Sequence, residues 1–469
     1  MRLYNTLTRN IEEFVPIEEG KVKLYTCGPT VYHYAHIGNL RTYIFEDILE
    51  KSLKYLGYEV TRAMNITDVG HMDSDADTGE DKMLKGAKRE KKTILEIAEM
   101  YTQAFFADCE KLNIRKPDNI AKATDMVDEY IEMIGVLEQK GYTYFSNGNV
   151  YFDISKLEEY TKLTNQKVED LQVAVRDDIE EDKFKKNPLD FGLWFTKSKF
   201  DNQELKWDSP WGVGYPGWHI ECSAIANKFL GEYIDIHCGG VDNIFPHHTN
   251  EIAQSETYWG HKWVNYWMHS GHLNDQTGKM SKSKGEFLTV ELIENKGYSG
   301  LDYRFLVLQS HYRKQLVFSY EALDGARVAL TKLKTKIQEI LEDALTENVK
   351  SENIKEYIGK FKNYIADDLN TANTVTLVFD VIKDETLNSA EKIYLINEMD
   401  KVLSLDLLIL EEKEVSDEER IVIESLIEKR NEAKANKDYV LADNIREELS
   451  NMNIEIKDTK EGSMWEKVR

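Results

Sequence analysis

The chain has 469 residues, 41% hydrophobic and 31% charged, with a formal net charge of −24. That length exceeds one ordinary core and predicts roughly two to four domains, while the acidic balance excludes a protein that coats nucleic acid nonspecifically, since phosphate repulsion would dominate. Four cysteines, none in a C-x-x-C pair, exclude a disulfide framework and fit a reduced compartment.

No window is apolar enough for a membrane span. The first ten residues, "MRLYNTLTRN", lack the apolar core of a signal peptide, so a cytoplasmic protein is expected. The opening elements then read as a βαβ unit. "VKLYT" is a short strand ending at Cys27, followed by a turn with Gly28 and Pro29 and by "HIGN", His36 to Asn39. From Leu40 onward Ile44, Ile48, Leu49, Leu53 and Leu56 recur at helical spacing, and Gly57 stops the helix. "EVTRAMNIT" is mostly apolar, as a buried parallel strand should be. This order predicts an α/β fold with a doubly wound parallel, Rossmann-like sheet. Its site would lie at the carboxyl ends of the strands, where Cys27, His36 and Thr67 would gather.

A long helical and irregular segment, about residues 71 to 205, is expected to interrupt the sheet. It holds the densest basic cluster, "DKMLKGAKREKK", with Lys82, Lys85, Lys88, Arg89, Lys91 and Lys92. Charge patterning reads this first as a solvated face, and whether it touches RNA stays open. The sheet resumes near "GYPGWHIECSAIANKFLG", a helix closed by Gly231. "EYIDIH" is a strand, "NEIAQSETYW" a helix stopped by Gly260, and "YWMHSGHL" another strand leading into "NDQTGKMSKSKG". All seven prolines occur at or before Pro246, which suits long helices in the C-terminal half, "RVALTKLKTKIQEILEDAL" being the clearest. "NIEIKDTKEGSMWEKV" closes the chain as a β-hairpin appended to a helix.

Three constellations carry chemistry. "HIGN" sits between a strand and a helix N-terminus, where unpaired backbone N–H groups and the helix dipole favour a phosphate. Gly38 permits close backbone approach, and His36 and Asn39 can donate to phosphate oxygens. "KMSKS", Lys279 to Ser283, places two lysines three apart in a glycine-flanked loop. Such mobile ammonium groups can stabilise the charge that builds on a departing pyrophosphate. The third is a donor set. "WHIECS" puts Trp218 and Cys222 four apart on one helix face, and "PHHTNE" puts His247 and Glu251 four apart at a helix start. With Cys27 these make two thiolates, an imidazole and a carboxylate, a tetrahedral zinc set. By composition alone His248 is an equally good ligand, and Cys109 and Cys238 remain alternatives.

Together, "CGPTVYHYAHIGNLRTYIFED", "NITD", "GWHIECSA", "DIHCGGVDNIFPHHTNEIAQSE", "GKMSKS" and "KRNEAKANKDYVLADNIREEL" resemble cysteinyl-tRNA synthetase, a class I aminoacyl-tRNA synthetase, nearly end to end. The resemblance implies that Cys27, Cys222, His247 and Glu251 bind one zinc ion, choosing His247 over His248. It implies that substrate L-cysteine meets the metal through its sulfur, with Thr67, Trp218, His237 and Asp242 around the pocket. His36, Gly38, Asn39, Lys279 and Lys282 match the ATP-handling positions, with Mg²⁺ accompanying the nucleotide. Implied partners are tRNA(Cys), ATP and cysteine, without a membrane, for a monomer. A cysteine ligase acting on a small amino-sugar acceptor is the alternative. The long helices after Gly300 argue against it.

The implied organisation is a catalytic domain split into residues 1–70 and 206–290 around an inserted 71–205 domain. A stem-contact segment at 291–325, a helical bundle at 326–410 and an anticodon-binding module at 411–469, with Asp443 on its helix, follow. Departures are Asn39 where the wider class often has histidine, Ser270 where asparagine is frequent, and the stretch "KWDSPWGVGYPGW". None falls on an expected ligand.

Overall fold

The computed structural model describes residues 1–69, 72–74, 78–166, 171, 184–197, 205–275, 278–279, 287–344, 348–349, 351–409, 417–452, 454–459 and 462–467. It divides into two compact units, Met1–Leu408 and Ile409–Arg469.

The first unit is built on five parallel strands: β1 (Lys21–Thr26), β2 (Glu59–Ile66), β3 (Asn119–Lys122), β4 (Ile234–Gly240) and β5 (Val264–Ser270). Their spatial order is β5-β4-β1-β2-β3, the doubly wound order that reverses direction between β1 and β4. The two strands at that switch point are in register at Ile236 with Leu24, His237 with Tyr25 and Cys238 with Thr26. Their side chains are almost all buried, because helices cover both faces of a parallel sheet.

One face packs helix α1 (Ile37–Tyr55), whose Leu40, Ile44, Ile48, Leu49 and Leu53 are buried. The helical region from Tyr320 to Leu403 belongs to the same core. Arg304, fully buried, joins them: its guanidinium donates to the carbonyls of Leu403 and Leu112 and pairs with Asp47 at 2.7 Å. The other face packs helix α2 (Trp218–Leu230) and helix α3 (Thr249–Trp259) in a second core with Trp194, Trp263 and Trp267.

The segment between β2 and β4 is less purely helical than its sequence suggests. Residues 119–122 extend the parallel sheet as an edge strand pairing with Ala63 to Ile66. With only Ile120 and Ala121 apolar in four residues, the strand is too short to show a period. A four-stranded antiparallel sheet runs from Thr143–Ser146 through Asn149–Phe152 and Phe191–Phe195 to Tyr215–Pro216, and its last strand delivers the chain to the start of α2.

The second unit has its own core, Ile423, Ile427, Ile445, Leu449, Ile454 and Ile456. Two helices, Asp417–Ala435 and Tyr439–Asn451, are followed by the antiparallel pair Ile454–Thr459 and Gly462–Lys467, the expected helix-plus-hairpin. Asp443 is exposed on the second helix. Among the described residues no helix is long and apolar enough to cross a membrane.

Candidate active site and metal centre

A cavity of about 450 Å³ opens at the carboxyl edge of the sheet, at the switch point. Cys27, His36, Gly38, Asn39 and Asp242 line it. His36 caps α1: its Nδ1 accepts the Gly38 N–H at 3.0 Å. That bond places the hydrogen of a neutral imidazole on Nε2, as a donor. Asp242 is half-exposed at the mouth, 3.4 Å from His272 Nδ1. Lys279 lies in the short strand Gly278–Lys279, paired with Asn274 and Asp275. Lys282 falls outside the described residues.

Behind Cys27 lies a buried cluster of metal-type donors. One atom each from Cys27, Cys222, His247 and Glu251 lies within 4.8 Å of the others, and Cys27, His237, His248 and Glu251 form a second such group. The sulfurs of Cys27 and Cys222 are 3.9 Å apart. His247 Nε2 is 3.4 Å from the Cys222 sulfur and 3.1 Å from Glu251 Oε1. His248 Nε2 is 3.2 Å from the Cys27 sulfur and 3.8 Å from Glu251 Oε1. The end of β1 brings in Cys27 and the middle of β4 brings His237; α2 brings Cys222, and the turn leading into α3 brings His247 and His248.

Burial dominates the electrostatics of the cluster. It pushes the Cys27 thiol well up and the Cys222 thiol up. It raises Glu251 to about 8 and lowers His237 to about 3. His248 is held well below its usual value by burial and by neighbouring imidazoles. The His237 and His248 imidazoles are therefore neutral, as ligation requires, while the acids resist ionising without a cation. Glu251 Oε1 is buried and, among the described residues, accepts no hydrogen bond. Two sulfurs, one imidazole and one carboxylate around that oxygen fit a borderline-soft divalent ion such as zinc.

The remaining expected residues surround the donors. The Trp218 ring stacks on His247, centroids 4.1 Å apart. His237 Nε2 lies 2.9 Å from Glu251 Oε2. Thr67 donates to Glu221 Oε2 at 2.6 Å, and its backbone pairs with Pro29 and Val31 beside the Cys27 turn. Cys238 is buried in β4 and Cys109 in the α1-side core; neither belongs to a donor group among the described residues.

Sequence reasoning passed over Asn65, which ties the site together. Its Oδ1 accepts the Gly28 N–H at 2.7 Å and the Tyr25 hydroxyl at 3.3 Å, and its Nδ2 donates to Thr67 Oγ1 at 3.1 Å. The Cys222 sulfur lies 3.5 Å from the same Oδ1. A Cβ on Gly28 would fall 1.6 Å from the Asn65 carbonyl oxygen, so only glycine permits this approach of strand end to turn. Also overlooked were Glu221, fully buried with its carboxyl pushed well up by burial, and His269, 2.8 Å from His248. The available signal was an acid and an amide inside otherwise apolar runs, in "HIEC" and "AMNI".

The profile described as the catalytic domain of class I (C) tRNA synthetases matches residues 13–328. A cysteine–tRNA ligase of Treponema denticola is 49% identical over all of both chains, and one of Clostridioides difficile 43% identical over all of both. Among solved structures, the methionyl-tRNA synthetase of Mycobacterium tuberculosis with methionyl-adenylate superposes with a TM-score of 0.54 at 12% identity. It covers 82% of this chain and 90% of that one. The leucyl-tRNA synthetase of Agrobacterium radiobacter K84 gives 0.59 at 11% identity, covering 84% of each. Those distant likenesses carry the class I fold, and the full-length identities narrow it: the chain belongs to the class I cysteinyl-tRNA synthetase family.

Proposed function

We infer that this chain is a cysteine–tRNA ligase, which joins L-cysteine to tRNA(Cys) through a cysteinyl adenylate and releases AMP and diphosphate. The observation that carries the reading is that Cys27 belongs both to the buried donor set and to the wall of the cavity holding His36, Gly38 and Asn39. An amino acid anchored by its side chain in the donors would lie beside a nucleotide seated over the α1 N-terminus.

Cys27, Cys222, His247 and Glu251 would hold zinc. When bound, the ion supplies a soft Lewis acid that takes a thiolate in preference to a neutral hydroxyl, a selectivity that a purely hydrophobic pocket, good for about 1–3 kcal/mol, cannot match. Thr67, Trp218, His237 and Asp242 would border the amino acid. His36 Nε2–H, Asn39 and the backbone around Gly38 would orient the phosphates of ATP, which carries Mg²⁺. A cysteine carboxylate oxygen then attacks the α-phosphorus, and diphosphate leaves with the bonding pair, its growing charge met by Lys279 and Lys282. The terminal ribose 2′-hydroxyl of the tRNA next attacks the adenylate carbonyl and expels AMP. No side chain acts as a nucleophile; catalysis is orientation and charge stabilisation. The enzyme would act as a cytoplasmic monomer.

The test is cysteine-dependent ATP–pyrophosphate exchange followed by charging of deacylated tRNA. Both are expected in the intact chain, and Cys222→Ser is expected to lose both together with bound zinc. Undiminished exchange in that variant would overturn the metal assignment, and transfer to an amino sugar in place of tRNA would overturn the acceptor.

A further inference from the structure

We propose that Arg41 is a positioning residue for adenylate formation: its buried guanidinium locks the strand paired with Lys279 to the first turns of α1, and so fixes the span between the two ATP-handling elements. The proposal rests on the ligase reading above, in which His36, Gly38 and Asn39 orient the phosphates and Lys279 meets the departing diphosphate.

Arg41 follows Asn39 by two residues, yet it does not line the cavity. It sits one layer behind, 1% exposed, beside Ile44, Phe45 and Ile48. Among the described residues no carboxylate pairs with it. Its partners are backbone: Nη1 donates to the carbonyls of Gly271 and His272 at 2.7 and 2.5 Å, and Nη2 to those of Tyr312 and Lys314 at 3.4 and 2.5 Å. Burying a guanidinium without a counter-charge is costly, and an apolar side chain would fill this space more readily. What a planar fork adds is two pairs of donors, each holding a different chain segment to the same helix.

Those segments lead to Lys279. Gly271 and His272 join β5 to the short strand Leu273–Asp275, in which Asn274 lies opposite Lys279 and Leu273 opposite Leu316. The Tyr312–Lys314 turn is held from behind, the Tyr312 hydroxyl and Arg313 Nε both donating to Asp368 at 2.8 Å. A Cβ on Gly271 would fall 2.7 Å from the Lys314 carbonyl oxygen, so the two segments meet at backbone distance. Beside the fork the Thr42 and Ser270 hydroxyls lie 2.7 Å apart. Asn39 and Thr42 line the cavity, and Arg41, between them in the chain, ties the root of the Lys279 pairing to the same helical turn. A lysine at this position would keep the charge but gather its donors on one nitrogen, which cannot grip both segments.

The experiment measures cysteine-dependent pyrophosphate exchange on the full chain, per active site, with sites counted from the adenylate formed in a single turnover. Arg41→Lys is expected to lower the rate about tenfold, short of the roughly 100-fold that a 1 Å misplacement can cost, with the KM for cysteine within about twofold of the parent. Gly271→Ala, which parts the two segments without touching the charge, should do the same. The deciding measurement is a double-mutant cycle with Lys279→Ala. Because Arg41 acts through Lys279, Arg41→Lys should slow the Lys279→Ala chain by no more than about twofold, whereas independent effects would multiply to about tenfold further. Multiplying effects, an unchanged rate per site, fewer sites each at the parent rate, or a rise in KM for cysteine alone would each overturn the proposal. Should Arg41→Lys fail to fold, Gly271→Ala decides in the same cycle. Absent exchange in the parent chain would instead fault the ligase reading beneath it.

Discussion

Asn65→Ala is the most informative single change. The amide lies 1% exposed at the end of β2, with hydrogen bonds to Gly28, Tyr25 and Thr67. Losing these costs about 1 kcal/mol each, partly offset where water reaches the half-buried Gly28 N–H and where Thr67 keeps its bond to Glu221. The small cavity left behind adds about 1 kcal/mol. A destabilisation of about 3 kcal/mol is expected, equivalent to about 3–4 °C in Tm for a unit as large as Met1–Leu408. Function should suffer more than stability. Asn65 spaces the Cys27–Gly28 turn from Thr67 and touches the Cys222 thiol, and a misplacement near 1 Å can cost about 100-fold in rate. Thermal unfolding with cysteine-dependent exchange separates the effects. Exchange within twofold of the parent, or a Tm within about 1 °C, would refute the role assigned to this amide.

Asp108 should give the chain a pH-dependent weakness away from the site. Burial in the Ile94–Lys111 helix raises its carboxyl to about 6. An acid whose pKa rises on folding destabilises the folded state above that value, and the penalty fades as pH falls through 6 towards 4. Asp108→Asn should therefore stabilise by about 2–3 kcal/mol at pH 8 and by almost nothing near pH 4, as denaturant titrations at the two values would reveal. Lys279→Ala should lower the rate of exchange at least about 100-fold while moving the KM for cysteine little, since its ammonium is assigned to charge that develops only as diphosphate leaves. A pure KM effect would contradict that assignment.

The fold was legible wherever periodicity and punctuation coincided. Leu40 to Leu56 announced α1, and Gly231 and Gly260 marked the ends of α2 and α3 at their observed positions. The edge strand at residues 119–122 was illegible because pairing to β2, not local pattern, makes it a strand. The antiparallel sheet was hidden likewise: "NVYF" and "FGLWF" are buried on every residue, and a short, mostly apolar run without alternation does not distinguish strand from helix. At the site, spacing could pair Trp218 with Cys222 and His247 with Glu251 because one helix holds each pair. Nothing local could reveal that Asn65 and Thr67 meet Gly28 and Glu221, since those contacts exist only once β1, β2 and α2 are packed.

The same limit explains why spacing could not choose between His247 and His248, and the geometry now suggests how to choose. Both imidazoles face Glu251, at 3.1 and 3.8 Å, and the two donor groups share Cys27 and Glu251. They differ in softness: the group with His247 has two sulfurs, whereas the group with His248 has one sulfur and two imidazoles. A borderline-soft ion is held more strongly where two thiolates can ionise around it. His248 also has a partner on its far side, His269 at 2.8 Å, which in turn meets Thr6 at 2.8 Å, an arrangement suited to bracing the Cys27 sulfur from behind. We therefore expect His247→Ala to lose zinc on dialysis and His248→Ala to keep it stoichiometrically with about 10–100-fold weaker affinity, the usual effect of an outer-shell change. Competition against a graded chelator on the two purified variants measures both quantities. Zinc retained by His247→Ala and lost from His248→Ala would move the ion to the other donor group and with it the position of the substrate sulfur.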